Sequence, residues 1–142
     1  MGTKKGVEFP PEAKKYKALK FGPVPVDMLY DTLGIEMEEG AAFLSRLGHY
    51  HFATDHADDY PICFPMLEEV ISNPTYVGQD PKHAGNIIFV RRIKTSDDAH
   101  MLVALGIDIK KGKYHIRSCY LTPSEKVYNR RSAGYLKAPK WT

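Results

Sequence analysis

Three stretches in the last third of the chain constrain its fold most: residues 86–94, 99–109 and 113–122. The first, NIIFVRRIK, is rich in β-branched residues. The second sets Met101, Val103, Leu105, Ile107 and Ile109 on one parity, and the third, KYHIRSCYLT, alternates again. A period of two marks a strand with one buried face. Residues 95–98 are polar and turn-like, and residues 109–113 carry Gly112 where a tight turn needs a positive φ. Three successive strands with short connections pair antiparallel.

The earlier chain reads as helices. Val26, Leu29, Tyr30 and Leu33 have helical spacing, and Gly34 is a natural stop. Apolar residues at 62, 63, 66, 67, 70 and 71 predict an amphipathic helix within residues 60–73. Pro61 and Pro65 set its start near Phe64, and Asn73-Pro74 ends it. Residues 41–47 fit a strand or a helix end. Helices followed by strands specify α+β: N-terminal helices packed on a C-terminal antiparallel sheet of three to four strands. Residues 123–142 add a short strand or a surface tail.

At 142 residues the chain has the size of one domain. Residues 1–21 read as a basic flexible arm and 22–142 as a single α+β domain. No apolar run approaches the ~20 residues of a membrane span, and the charged start lacks the apolar stretch of a secretory signal. Cys63 and Cys119 are too few for a disulfide framework. These features exclude a helical membrane span, a collagen, a disulfide miniprotein and a zinc finger.

The net charge of +3 conceals an asymmetry. Residues 1–21 carry +4, residues 22–81 carry −10 and residues 82–142 carry +9. A strongly basic segment is a candidate surface for a polyanion, and nucleic acid is the first of these. The competing reading folds the basic half onto the acidic half.

Four constellations could carry chemistry. His49, His51 and His56 lie in the segment HYHFATDHADD. Imidazole titrates near pH ~6.5 and suits general acid–base work. HxHxxxxH lacks the spacing of a strong metal motif, so no metal is expected. Arg91 and Arg92 close the first strand with Lys94, on opposite faces, and a guanidinium fork matches phosphate oxygens. In RSCYLT, Ser118, Tyr120 and Thr122 share one face and Arg117, Cys119 and Leu121 the other. Cys119 has no activating neighbour in the sequence and reads as a packing residue. Last, residues 128–141 interleave Tyr128, Tyr135 and Trp141 with Arg130, Arg131, Lys137 and Lys140, which suits stacking on unpaired bases. The alternatives are solvated histidines, a solubilising strand end, strand residues chosen for propensity, and an unstructured tail. No Gly-rich phosphate loop or GxSxG elbow occurs, and no cofactor is expected.

The order of these features resembles the phage-associated branch of the barnase–EndoU–colicin–RelE (BECR) superfamily of nuclease-like domains. A His-bearing segment (HYHFATDH) precedes a helix ending in Asn-Pro (LEEVISNPTYVG). A strand with a basic end follows (NIIFVRRIK), then an apolar strand (HMLVALGIDI) and a strand with hydroxyl and aromatic residues (HIRSCYLT). The resemblance covers roughly 49–131 and implies a metal-independent endoribonuclease of phage or toxin type. It implies His56, with His51 second, as acid or base, Arg91 as the phosphate-neutralising cation, and Ser118 and Tyr120 on the later strand. Ser118 stands where the family often has Thr. RNA contacts would come from Arg92, Lys94, Arg117, Arg130 and Arg131. A tyrosine at its ordinary pKa of about 10 is a poor acid. The implied substrate is tRNA or mRNA, an inhibitor or immunity protein is an implied partner, and the implied location is the cytoplasm of the producing or a target cell, with no membrane partner. The alternatives are an inactive RNA- or protein-binding member of the fold, an ADP-ribosyltransferase-like effector with Glu125 as its acid, and a phage structural part.

Overall fold

The computed structural model describes residues 15–93, 99–108 and 112–141. In chain order these form β1 (Leu19–Pro23), α1 (Val26–Leu33), β2 (Ala41–Leu44), α2 (Arg46–Asp55), α3 (Tyr60–Cys63), a 3₁₀ turn (Phe64–Met66), α4 (Leu67–Ser72), β3 (Tyr76–Gln79), β4 (Asn86–Arg92), β5 (Ala99–Gly106), β6 (Lys113–Pro123) and α5 (Ser124–Ser132). The class is α+β. The sheet, however, has six strands in the order β1-β2-β6-β5-β4-β3, and it is mixed because β2 runs parallel to β6. The three strands expected at 86–94, 99–109 and 113–122 are β4, β5 and β6, paired antiparallel, whereas β3 has no counterpart in the sequence reading and residues 123–142 form no fourth strand among the described residues. The three other strands, β1, β2 and β3, are five, four and four residues long. Runs that short leave too few periods to separate strand from helix. Residues 1–14 of the expected arm lie outside the described residues, and Leu19–Pro23 at its end pairs with β2.

Local chemistry explains the helices. α1 ends at Gly34, which adopts φ 72° and donates its N–H to the Tyr30 carbonyl. Ser45 caps α2 by accepting a hydrogen bond from the Gly48 N–H at 3.0 Å. The helix expected from about Phe64 to Asn73 is a 3₁₀ turn followed by α4, and the additional piece α3 precedes it. Pro61 and Pro65 each sit in a first turn, where the missing N–H costs nothing, and so start new pieces of helix. The C-terminal segment forms α5 and a bridge rather than a plain tail.

Two apolar layers flank the sheet. Ile87 and Phe89 of β4, Met101, Val103 and Leu105 of β5, and Ile116 and Cys119 of β6 join residues of α1 and α4. On the opposite face, Ile88, Val90, Leu102 and Ala104 meet Val127 of α5 and Leu136. The C-terminal chain also closes the β3 edge, since Val77 and Lys137 exchange N–H···O bonds of 2.9 and 2.8 Å. Gly78 permits that approach, because a Cβ there would lie 1.7 Å from the Tyr135 carbonyl oxygen. Gly78→Ala should therefore lower unfolding stability by about 1–3 kcal/mol, the range for overpacking. Chemical denaturation measures it, and an unchanged midpoint would refute this account of the edge.

Tyr114 is fully buried and its hydroxyl donates to the Glu38 carbonyl. Burial pushes its phenol above the usual range, with the Glu38 charge adding to the effect. Tyr60 is raised in the same way, by burial and then by Tyr16. The unfolded chain loses these protons near pH ~10, while the folded chain keeps them. Their contribution is complete below that pH and is lost as pH rises through the folded values. Melting temperature should fall above about pH 10 as tyrosinate absorbance appears. A melting temperature independent of pH there would contradict it.

Candidate active site

α2 carries the histidines, and its helical turn separates them. His49 faces inward and is 7% exposed. Its Nδ1 lies 2.9 Å from the Lys17 carbonyl oxygen, which can only accept, so Nδ1 bears the proton. Nε2, 2.7 Å away, then accepts from the Tyr60 hydroxyl. The ring also stacks on Phe64 at 4.9 Å. With both nitrogens engaged, His49 is a structural pin between α2, α3 and the chain before β1. His51 lies on the solvent side, and its Nδ1 is 3.4 Å from Asp55 Oδ2. His56 is the C-cap of α2, and its ring stacks on Tyr120 of β6 with centroids 6.2 Å apart.

β6 meets this helix because its outer edge is only partly paired. β2 covers Lys113, Tyr114 and His115 alone. Further along, Asp59 Oδ2 accepts the Leu121 N–H at 3.1 Å and ties the α2–α3 connection to the strand. Between these points β6 bulges, with Ile116 opposite Leu105 and Ser118 opposite Ala104. Arg117 is the additional residue, and the bulge leaves Arg117 and Ser118 both exposed. The Arg117 guanidinium lies against Gly106, where a Cβ would come within 2.7 Å of Nε.

A cavity of about 240 Å³ opens between α2 and this bulge. Its floor is buried and mainly apolar: Leu44, Phe52, Leu67, Ile116 and Cys119. Its rim is exposed and polar: His51, Asp55, His56, Arg117 and Ser118. Burial, with a hydrogen bond to Cys63, holds the Cys119 thiol far above its ordinary range. It stays protonated and serves as packing, not as a nucleophile.

The residues singled out in the sequence thus part company. His51, His56, Arg117 and Ser118 share one cavity, and Tyr120 backs His56. Arg91 does not line it. Its Nη2 pairs with Glu69 Oε2 at 2.8 Å, and its Nη1 donates to the Asn73 carbonyl at 2.7 Å. Arg91 has the parity of Phe89, on the side where α4 packs, so the end of that helix captures it. Arg92 points to the other face; its backbone N–H donates to Thr75 Oγ1. Lys94 lies outside the described residues. Arg130 and Arg131 belong to α5, and the Arg131 guanidinium lies 4.4 Å above the Tyr76 ring. Sequence reasoning missed Asp55 as the partner of His51, although the i,i+4 spacing signals it. It also missed Asp59 at the strand edge, for which no local signal exists. Among the described residues no three His, Cys, Asp or Glu side chains converge as metal ligands.

Searches against protein-family models, curated proteins and solved structures find no match to this chain.

Proposed function

We propose that the protein is an endoribonuclease that needs no metal and uses the substrate's own 2′-hydroxyl as nucleophile. What supports the reading is the gathering of two imidazoles and a hydroxyl around one cavity mouth, with Arg117 on the adjoining bulge. Transphosphorylation requires three services. One imidazole takes the 2′-hydroxyl proton as that oxygen bonds to phosphorus. The second gives a proton to the 5′-oxygen as its bond to phosphorus breaks. A cation stabilises the additional negative charge of the phosphorane between these events. His56 and His51 fill the first two roles, and the Asp55 carboxylate orients His51. Arg117 fills the third, in place of Arg91, once its side chain turns from Gly106 to the cavity mouth, and Ser118 hydrogen-bonds a non-bridging oxygen. Tyr120 holds the His56 ring by stacking. The products are a 5′-hydroxyl and a 2′,3′-cyclic phosphate.

The substrate class is tRNA or mRNA, reached through the basic residues of the C-terminal half. A cytotoxic enzyme of this type, phage-encoded or delivered into a target cell, would act in the cytoplasm and be held by an inhibitor protein. The test is incubation with total RNA and tRNA in EDTA, with the ends of the fragments identified by mass spectrometry. Cyclic phosphate ends support the reading, and intact RNA at any pH between 5 and 9 defeats it. One observation favours a second reading, RNA binding without cleavage: the sequestration of Arg91 by Glu69 removes a cation from the site. Salt-dependent RNA binding without products would establish that alternative.

A further inference from the structure

The cavity has two chemistries, and they divide a nucleotide between them. Its volume of about 240 Å³ exceeds the ~150 Å³ that admits benzene and falls short of the ~300 Å³ at which drug-sized sites begin. It has room for one ring system. The floor side chains Leu44, Phe52, Leu67 and Ile116 offer no hydrogen-bond donor. A phosphate sunk among them would lose its water and gain nothing in return. A planar base loses little water from its faces there, and Phe52 supplies an aromatic surface. The side-chain donors stand at the mouth, where Ser118 and His56 can hold a phosphate that stays wet, and the Arg117 guanidinium reaches it only by turning from its place against Gly106. Asp55 and His51, also at the mouth, lie within the rim that the polar edge of an entering ring would pass.

We propose that this cavity is a nucleobase pocket: the ring of one nucleotide enters over the apolar floor, and its phosphate remains at the Arg117–Ser118–His56 rim. The proposal rests on the ribonuclease reading for the identity of the ligand, and it assigns which part of the RNA goes in first.

The experiment titrates the whole protein with the four nucleoside 3′-monophosphates, the free nucleosides, ribose 5-phosphate and inorganic phosphate, followed by amide NMR shifts. At least one nucleotide should shift the Phe52, Leu67, Ile116 and Cys119 amides. Its free nucleoside should shift the same set with weaker affinity, and the ringless phosphates should move only Arg117 and Ser118. Ile116→Trp, checked for folding by circular dichroism, should weaken nucleotide binding about tenfold or more by filling the floor. Floor shifts produced equally by ribose 5-phosphate would overturn the proposal. So would the absence of floor shifts with every nucleotide up to about 10 mM. The two readings fail separately. Ring binding without RNA cleavage keeps the pocket and removes the nuclease, while cleavage without floor shifts keeps the nuclease and removes the pocket.

Discussion

His56→Ala should cut RNA in EDTA about 10²–10⁴-fold more slowly than the unaltered protein, the value of one positioned acid or base. The fold should hardly notice. His56 is exposed at the end of α2 and meets Tyr120 only through ring stacking. Its melting temperature should stay close to that of the parent, which separates lost chemistry from lost structure. His49→Ala should do the reverse. It leaves the Lys17 carbonyl and the Tyr60 hydroxyl without their partner, a cost of about 1–3 kcal/mol, yet removes no group from the cavity rim. Rate per folded molecule should then survive. Equal rates for His56→Ala and the parent would eliminate His56 from the mechanism and leave His51 as the sole imidazole at the site.

The second large effect concerns which arginine meets the phosphate. Arg117→Ala should lower the rate about 10²–10³-fold, as expected for loss of one group that stabilises developing charge. Stability should change little, because the residue is an exposed part of a bulge. Arg91→Met should instead lower stability by about 1 kcal/mol. That figure is kept small because Glu69 is half exposed and water screens the pair. Its rate per folded molecule should match the parent. Rates for both variants, measured beside denaturant midpoints, decide the matter. If Arg91→Met lost the activity and Arg117→Ala kept it, the cation would be the one on β4 and the cavity would not be the place of reaction.

That exchange shows where the sequence stops being legible. The parity of residues 86–122 revealed β4, β5 and β6 directly, and the spacing of Val26, Leu29, Tyr30 and Leu33 revealed α1. Both are local periodicities. Arg91, by contrast, owes its place to Glu69 and to the Asn73 carbonyl, neither of which its own strand discloses. The bulge is a second example. Tyr114 and Ile116 share the larger core with Cys119 although their parities differ, because Arg117 shifts the alternation by one. A strict period of two therefore describes either half of β6 and fails across it. His49 looked equivalent to His51 and His56 as a letter, and only Lys17, Tyr60 and Phe64 around it make it structural.

The parallel pairing of Ala41, Ala42 and Phe43 with Lys113, Tyr114 and His115 has a consequence for how the chain reaches this shape. β1 and β2 pair with each other within the first 44 residues, but the neighbour that joins them to the rest of the sheet is the last strand made. During synthesis the edge of β2 that pairs with β6 stays open until the C-terminal third leaves the ribosome. A closure that distant is slow to find.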